Sequence, residues 1–151
     1  MKVILQRSKE ASVSVDKKIV GRIDNGLVLL VGFNENDTSH EIDYMVDKII
    51  NLRIFDDENG IMNKSLLDIN GSILSISQFT LYADTKKGRR PSYKSAMSPN
   101  KATILYDEFN QKLKNRNIKI ATGIFGASME VSLVNDGPVT IILERENENG
   151  K

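Results

Sequence analysis

The sequence predicts a single α/β domain in which mixed β-sheets are covered on one side by two helices. Three observations favour this fold class. The 151 residues match the usual length of one domain, two segments carry apolar residues at helical spacing, and β-rich runs alternate with turns elsewhere. With 40% hydrophobic residues, the chain can build a core. We therefore predict a domain over 1–144 and a polar, frayed tail over 145–151.

The first part of the chain is predicted to form strands. Residues 1–6 and 11–15 are β-rich, and the polar residues 16–18 predict a hairpin turn before a further β segment at 19–20. The run from Gly26 to Phe33 is apolar throughout, which is typical of a central strand covered on both faces.

A helix is predicted over 39–51. Thr38 and Glu41 have the spacing of a capping box. The apolar residues that follow recur at helical period: Ile42, Met45, Val46, Ile49 and Ile50. A short strand at 53–55 and a turn at 56–60 come next.

The second half of the chain repeats this mixture. Ser98 followed by Pro99 is a helix-start signal, and an apolar stripe extends the predicted helix to about residue 115. Four strands are predicted at 72–79, 118–122, 129–134 and 139–143, with a turn at 135–138 between the last two.

Composition excludes several kinds of chemistry. The chain has no cysteine, which rules out disulfides, thiol nucleophiles and Cys-ligated metals, and a single histidine, His40, which rules out two-histidine zinc motifs. No motif connects His40 to a serine or threonine hydroxyl. The net charge is +1 and no apolar run reaches the length of a membrane span. We expect a cytoplasmic protein without metal, cofactor or membrane contact.

A basic segment stands out after residue 85. Five of the nine residues at 86–94 are cations, and Gly88 within this stretch lets the backbone bend. A loop of this kind binds RNA phosphates, although a solvated surface loop has the same composition. The cations are Lys86, Lys87, Arg89, Arg90 and Lys94.

The predicted strand before this loop ends in Ser77, Gln78, Phe79 and Thr80. Hydroxyls and main-chain N–H groups at a strand end often face a ligand. The alternative is that they make ordinary structural hydrogen bonds.

Three further features each have two interpretations. Gly137-Pro138 is a candidate cis peptide that also allows close backbone approach, or a plain hairpin turn. Phe125 and Met129 are pocket walls or ordinary core residues. Arg7 interrupts the first β segment, so if buried it needs carbonyl or carboxylate partners.

Together these segments resemble the D-aminoacyl-tRNA deacylase family, of the D-Tyr-tRNA deacylase type. The similarity extends from Met1 to about Leu143 and departs from the family pattern at 34–40 and 93–99. The sequences that carry it are SQFTL at 77–81, YADTKKGRRPS at 82–92 and NDGPVT at 135–140, supported by LQR at 5–7, NLRIF at 51–55 and GIFGASMEVSLV at 123–134.

The resemblance implies a three-layer β/β/α sandwich and a homodimeric enzyme. Such an enzyme hydrolyses the ester between a D-amino acid and the terminal adenosine of tRNA, and also removes glycine mischarged onto tRNA(Ala). A cis Gly-Pro pair from one subunit then enters the other subunit's active site. The resemblance also implies that the vicinal ribose hydroxyl of the substrate assists the attacking water.

By the same resemblance, Gly137 and Pro138 would select chirality and Arg7 would hold them. Phe125 and Met129 would flank the amino-acid and adenosine pocket. The segment from Ser77 to Thr80 would line the reacting ester, and the basic loop with Lys86, Lys87, Arg89 and Arg90 would contact tRNA.

Two other functions stay open from the residues alone. One is an RNA-binding module that uses the basic loop without hydrolysis. The other is an esterase for small molecules with a serine or threonine nucleophile, although no base is visible to activate Thr80.

Overall fold

A computed structural model describes residues 1–147 of the chain. This part contains eight strands, two α-helices and a short 3-10 helix at Phe79–Tyr82. The helices are α1 (Ser39–Asn51) and α2 (Pro99–Asn115). The strands are β1 (Lys2–Val15), β2 (Lys18–Ile23), β3 (Gly26–Gly32), β4 (Phe55–Asp56), β5 (Met62–Lys64), β6 (Ser72–Ser77), β7 (Lys119–Thr122) and β8 (Glu130–Glu144).

A tight hairpin joins the first two strands. Asp16 and Lys17 both have positive φ angles, of 50° and 65°, which a two-residue hairpin turn of this hand requires. Val15 therefore lies opposite Lys18 in the antiparallel β1–β2 pair. The predicted turn is confirmed, but the two β-rich stretches before it form one strand, because β3 pairs with the first half of β1 and β2 with the second.

The main sheet is mixed, as predicted. Its strand order is β2-β1-β3-β6-β7, and β8 also pairs with β1. The β3–β6 and β6–β7 pairs are parallel, whereas the pairs that involve β1 are antiparallel. The short strands β4 and β5 form a separate hairpin.

Side-chain alternation on β6 separates two cores. Ile73 faces the core shared with the helices, while Leu74 and Ile76 face a second core built with the β1–β2 hairpin. The sheet is therefore covered by helices on one face and by strands on the other, which is the β/β/α layering. The helix-side core includes Leu27, Leu29, Ile42, Ile49 and Phe109, and the strand-side core includes Ala11, Val13, Ile23 and Val28.

Both predicted helices are confirmed. Thr38 caps α1, accepting from the main-chain N–H of His40 at 3.3 Å, while the Glu41 carboxylate accepts from the Thr38 N–H at 2.6 Å. Pro99 opens α2 at its first turn, where its missing N–H costs no intrahelical bond. Each helix buries one apolar stripe against the sheet.

The turn predicted at 135–138 is wrong. β8 continues from Glu130 to Glu144 without a break, because β1 offers pairing partners on both sides of the turn-like residues. Ser8 pairs with Asn135 and Gln6 with Thr140, so residues 136–139 bulge opposite Arg7 alone.

Two strand ends and the tail also differ from expectation. β6 ends at Ser77, since a 3-10 turn starts at Phe79, and β4 starts at Phe55 and not at residue 53. Residues 145–147 of the expected frayed tail make contacts: the Arg145 N–H donates to the Met1 carbonyl at 2.9 Å. The rest of that tail, 148–151, lies outside the described residues. Neither helix of the described chain is long and apolar enough to cross a membrane.

Candidate active site

A cavity of about 550 Å³ opens where the parallel strands β3 and β6 end. The carboxyl ends of parallel strands are a common place for ligand sites in α/β proteins. Apolar side chains dominate its walls. They include Phe33, Ile76, Met97, Phe125, Met129 and Val131, with Tyr93, Ala96 and the start of α2 at Ser98, Pro99 and Ala102.

Three of the four predicted strand-end residues line this cavity. They are Ser77, Gln78 and Phe79. The Gln78 N–H donates to the Val31 carbonyl at 2.7 Å, which keeps the chain beside β3 before it turns into the 3-10 helix. Because the first N–H groups of a helical turn have no partner within that turn, this segment offers main-chain donors beside an apolar space.

Thr80 is not among the cavity-lining residues. Its hydroxyl oxygen accepts a hydrogen bond from the Gln78 side-chain amide. His40, the one histidine, lies exposed at the start of α1 and is not a lining residue either. The described residues around the cavity therefore provide no imidazole base for the Thr80 hydroxyl.

Phe125 and Met129, the predicted pocket walls, both line the cavity. The Phe125 ring packs against Tyr106 of α2 with centroids 5.9 Å apart. The Tyr106 hydroxyl donates to the Ser75 carbonyl at 2.8 Å, and burial raises the pKa of this phenol, so the hydroxyl keeps its proton. Tyr106, which is hydrogen-bonded in the core, thus supports the ring of Phe125.

Arg7 is buried, with 7% of its surface exposed, and has the carbonyl and carboxylate partners that its burial requires. Its Nη1 donates to the Ile54 carbonyl at 2.8 Å and lies 3.4 Å from Asp56 Oδ1. Its Nε donates to the Asp136 carbonyl at 3.2 Å and lies 3.3 Å from Asp136 Oδ2. Arg7 therefore braces the bulge that contains Gly137 and Pro138.

The Gly137–Pro138 peptide bond is cis, and Gly137 has a φ of 119°. Both residues are exposed, and neither lines the cavity of its own chain. The pair lies opposite Arg7, whereas the cavity adjoins Val31, which pairs with Val3 near the start of β1. Within one chain the two features are therefore separate.

The basic segment forms an exposed loop. The Asp84 and Ser92 backbones close it with hydrogen bonds of 2.7 and 2.9 Å, and Gly88 has a φ of 70°. No salt bridge involves the cations of this loop within the described chain. The exposed cations are Lys86, Lys87, Arg89 and Arg90.

Several lining residues were missed by the sequence analysis. Tyr93 and Met97 lie within residues 80–97, which show no helical or strand periodicity, and Pro99 and Ala102 were identified only as helix residues. The Met97 N–H donates to the Phe33 carbonyl at 3.0 Å, and Asn34 pairs with Ala96. The available sequence signal was the position of Tyr93 within the basic segment, directly before Lys94.

The fold and the cavity define an α/β protein with an apolar ligand site at the carboxyl ends of its parallel strands. A family model described as D-Tyr-tRNA(Tyr) deacylase matches residues 4–144. The chain belongs to this family, which makes it an enzyme of the hydrolase class.

Curated relatives agree with the family match. A D-aminoacyl-tRNA deacylase of Bacillus cytotoxicus is 58% identical over 144 residues, covering 95% of this chain and 99% of the relative. One of Thermosipho africanus is also 58% identical over 144 residues, covering 95% and 97%.

Solved structures share the fold. One named c-Myc DNA Unwinding Element Binding Protein has a TM-score of 0.91 and 40% identity, covering 97% of this chain and 100% of its own. A probable eukaryotic D-amino acid tRNA deacylase has a TM-score of 0.82 over 94% of this chain and 97% of its own; at 18% identity it supports the fold alone.

Proposed function

We propose that this protein hydrolyses the ester of D-aminoacyl-tRNA to free tRNA and a D-amino acid. The observation that carries the proposal is the apolar cavity beside the Ser77–Phe79 turn, in a chain that belongs to the D-Tyr-tRNA(Tyr) deacylase family. The names of the curated relatives support the same substrate class.

The proposed chemistry places a water against an already reactive ester. The water oxygen attacks the carbonyl carbon, the bond to the ribose oxygen breaks, and a proton passes to that leaving oxygen. Main-chain N–H groups of Phe79 and Thr80, at the start of the 3-10 turn, stabilise the developing oxyanion, and the vicinal ribose hydroxyl orients the water. Thr80 is not the nucleophile in this scheme, because its neighbour Gln78 is an amide and not a base.

Chiral selection is assigned to Gly137 and Pro138. A rigid main-chain wall that accepts from the α-ammonium and clashes with an L-side chain rejects the wrong enantiomer. Rejection by a factor of ~1000 requires about 4 kcal/mol, within reach of a steric clash combined with an unpaired ammonium. The bracing by Arg7 supports this role, since a flexible main chain would move aside for an L-side chain and would not separate the two enantiomers.

Assembly of the complete site requires a second copy. Gly137 and Pro138 are exposed and are not lining residues of their own cavity, so we propose a homodimer in which each pair reaches the partner subunit's cavity. Exposed apolar side chains on β8 support this arrangement, with Val134 54% and Ile142 65% exposed.

Glycine esterified to tRNA(Ala) is a second proposed substrate. A glycyl group has no side chain to strike the wall, so it passes the filter that stops L-amino acids. The basic loop at 86–90 is proposed to contact the tRNA backbone, which its exposure and lack of salt bridges support.

Incubation with D-Tyr-tRNA and L-Tyr-tRNA tests the main proposal. We expect turnover of the D form alone. Binding of tRNA without turnover would instead support a nucleic-acid-binding function, which the unpaired loop cations and the name of the 40% identical structure favour. Hydrolysis of small esters with a trapped acyl adduct would support a serine or threonine esterase.

A further inference from the structure

An exposed aromatic pair stands at the mouth of the cavity. Phe79 is 57% exposed and Tyr93 is 41% exposed, although both line the cavity. Their rings meet edge to face, with centroids 5.1 Å apart and an interplanar angle of 69°. Neither ring is needed to fill the interior, because the helix-side and strand-side cores do not include them. Two large apolar side chains kept at a pocket mouth point to a ligand.

The pair adjoins the basic loop directly. Tyr93 follows Ser92, whose backbone pairs with Asp84 to close that loop. The loop cations are exposed and form no salt bridges with any described residue. The molecule therefore presents aromatic faces and unpaired positive charge on one continuous rim.

Single-stranded nucleic acids are bound by this combination. Cations follow the phosphates, and aromatic rings stack on bases. Either feature alone has a structural explanation, but a solvated loop does not require aromatic rings beside it. A small-molecule site, conversely, does not require the cations.

We propose that Phe79 and Tyr93 stack on the base of the nucleotide next to the terminal adenosine of tRNA. This inference rests on the proposed function and on the expectation, from the family resemblance, that the cavity-lining residues Phe125 and Met129 flank the amino acid and the terminal adenosine. The chain of the substrate then leaves the cavity past Tyr93, and the following phosphates meet the basic loop. Tyr93 is thus a substrate-binding residue that acts away from the reacting ester.

A double-mutant cycle tests the contact. D-Tyr-tRNA is prepared with its penultimate cytidine intact or replaced by an abasic ribose, and each form is assayed with the wild type and with Tyr93→Ala. Loss of one stacked base is expected to raise KM roughly 5- to 140-fold, the equivalent of about 1–3 kcal/mol. With Tyr93→Ala the abasic substrate should cost less than it does with the wild type, because one of the two stacking rings is already gone.

Two variants control the measurement. Tyr93→Phe keeps the ring and should keep KM close to that of the wild type. Tyr44→Ala removes a tyrosine of similar exposure, 39%, that lies on α1 and does not line the cavity, and it should not change KM. Equal penalties for the abasic substrate in the wild type and in Tyr93→Ala would overturn the proposal.

A binding assay separates this inference from the proposed function. The same cycle is measured as the Kd of uncharged tRNA, intact or abasic at that position, by fluorescence anisotropy. If the wild type fails to deacylate D-Tyr-tRNA but the two losses in Kd are not additive, the proposed function fails and the stacking contact stands. Additive losses in Kd would reject the contact whatever the activity.

Discussion

Arg7 and Asp136 are joined twice across the β1–β8 pair: Arg7 Nε lies 3.2 Å from the Asp136 carbonyl oxygen and 3.3 Å from its Oδ2. The same guanidinium also donates to the Ile54 carbonyl at 2.8 Å. A buried cation therefore ties the 136–139 bulge to the segment before β4. The rigidity of the bulge therefore depends on the Arg7 side chain together with that of Asn135, whose Oδ1 accepts from the Val139 N–H at 3.3 Å.

Replacing Arg7 by alanine should weaken both stability and chiral selection. The Ile54 carbonyl loses its partner and the bulge loses its brace, so we expect the free energy of unfolding to fall by about 1–3 kcal/mol. The ratio of D-Tyr-tRNA to L-Tyr-tRNA turnover should also fall. Denaturant unfolding and paired deacylation assays measure the two effects. Arg22→Ala, which removes an exposed pairing with Glu10, should change neither by much.

Gly137→Ala should be destabilising for a geometric reason. A Cβ there would lie 2.9 Å from Val139 Cγ2 and 3.0 Å from Arg7 Nη2, and the φ of 119° disfavours any L-side chain. We expect a loss of about 1–3 kcal/mol together with reduced D-over-L selectivity. Gly60→Ala is the matched control, because its φ is also positive, at 74°, but its Cβ would meet nothing within 4 Å. An equal loss in both variants would refute the role of the close contacts.

Thr80→Ala should retain measurable turnover of D-Tyr-tRNA. The scheme uses the substrate's ribose hydroxyl and main-chain donors, so removing this side chain removes only its hydrogen bond with Gln78. A reduction in kcat of up to about tenfold, the equivalent of one missing hydrogen bond, is the expected range. Single-turnover assays measure it, and His40→Ala should behave as the wild type. Abolished turnover in Thr80→Ala would contradict the substrate-assisted scheme.

Removing the loop cations should weaken tRNA binding in a salt-dependent way. For Lys86, Lys87, Arg89 and Arg90 changed together to alanine, we expect a higher KM for D-Tyr-tRNA with kcat unchanged. The dependence of log KM on log salt should fall by about 0.7–0.9 for each tRNA phosphate that the loop no longer neutralises. Titrating KM against salt concentration tests this. Lys114→Ala with Lys119→Ala removes charge at the end of α2 and at the start of β7, the ends opposite the cavity, and an equal effect there would mean that the loop has no special role.

The capping box of α1 should make stability sensitive to acid. Burial by itself raises the pKa of Glu41, but hydrogen bonds from the Thr38 N–H and hydroxyl outweigh it and hold the pKa below its usual value. A lowered carboxyl pKa contributes stability above the unfolded-state pKa, near pH 4.3, that is lost as pH falls through the folded pKa. Glu41→Gln should therefore lose less unfolding free energy than the wild type between pH 6 and pH 3. An equal fall in the two proteins would contradict this assignment.

Local signals predicted the local elements well. The capping box predicted the start of α1, and Ser98-Pro99 predicted the start of α2, because both signals act within one turn of the backbone. Ile73 and Leu74 of β6 face opposite cores, as the alternation of side chains along a strand requires. The sequence also predicted that residues 77–80, Phe125 and Met129 face a ligand site, and all of them except Thr80 line the cavity.

Other features depended on contacts between distant segments. The residues 135–138 have turn chemistry, yet β1 pairs with both sides of them and keeps β8 continuous. Tyr93 and Met97 line the cavity because the Met97 N–H reaches the Phe33 carbonyl and Asn34 pairs with Ala96, more than sixty residues apart in the chain. Periodicity carries no information about such pairings.

Neighbouring residues were enough to predict both helices and their starts, the β1–β2 hairpin, the basic loop and the family motifs. Contacts between distant segments were needed to show that Arg7 braces the Gly137–Pro138 bulge, that this bulge lies away from its own chain's cavity, and that Phe79 meets Tyr93 at the mouth. The physical reason is that strand pairing and side-chain packing join residues far apart in sequence, and their energies override the local preferences from which the prediction started.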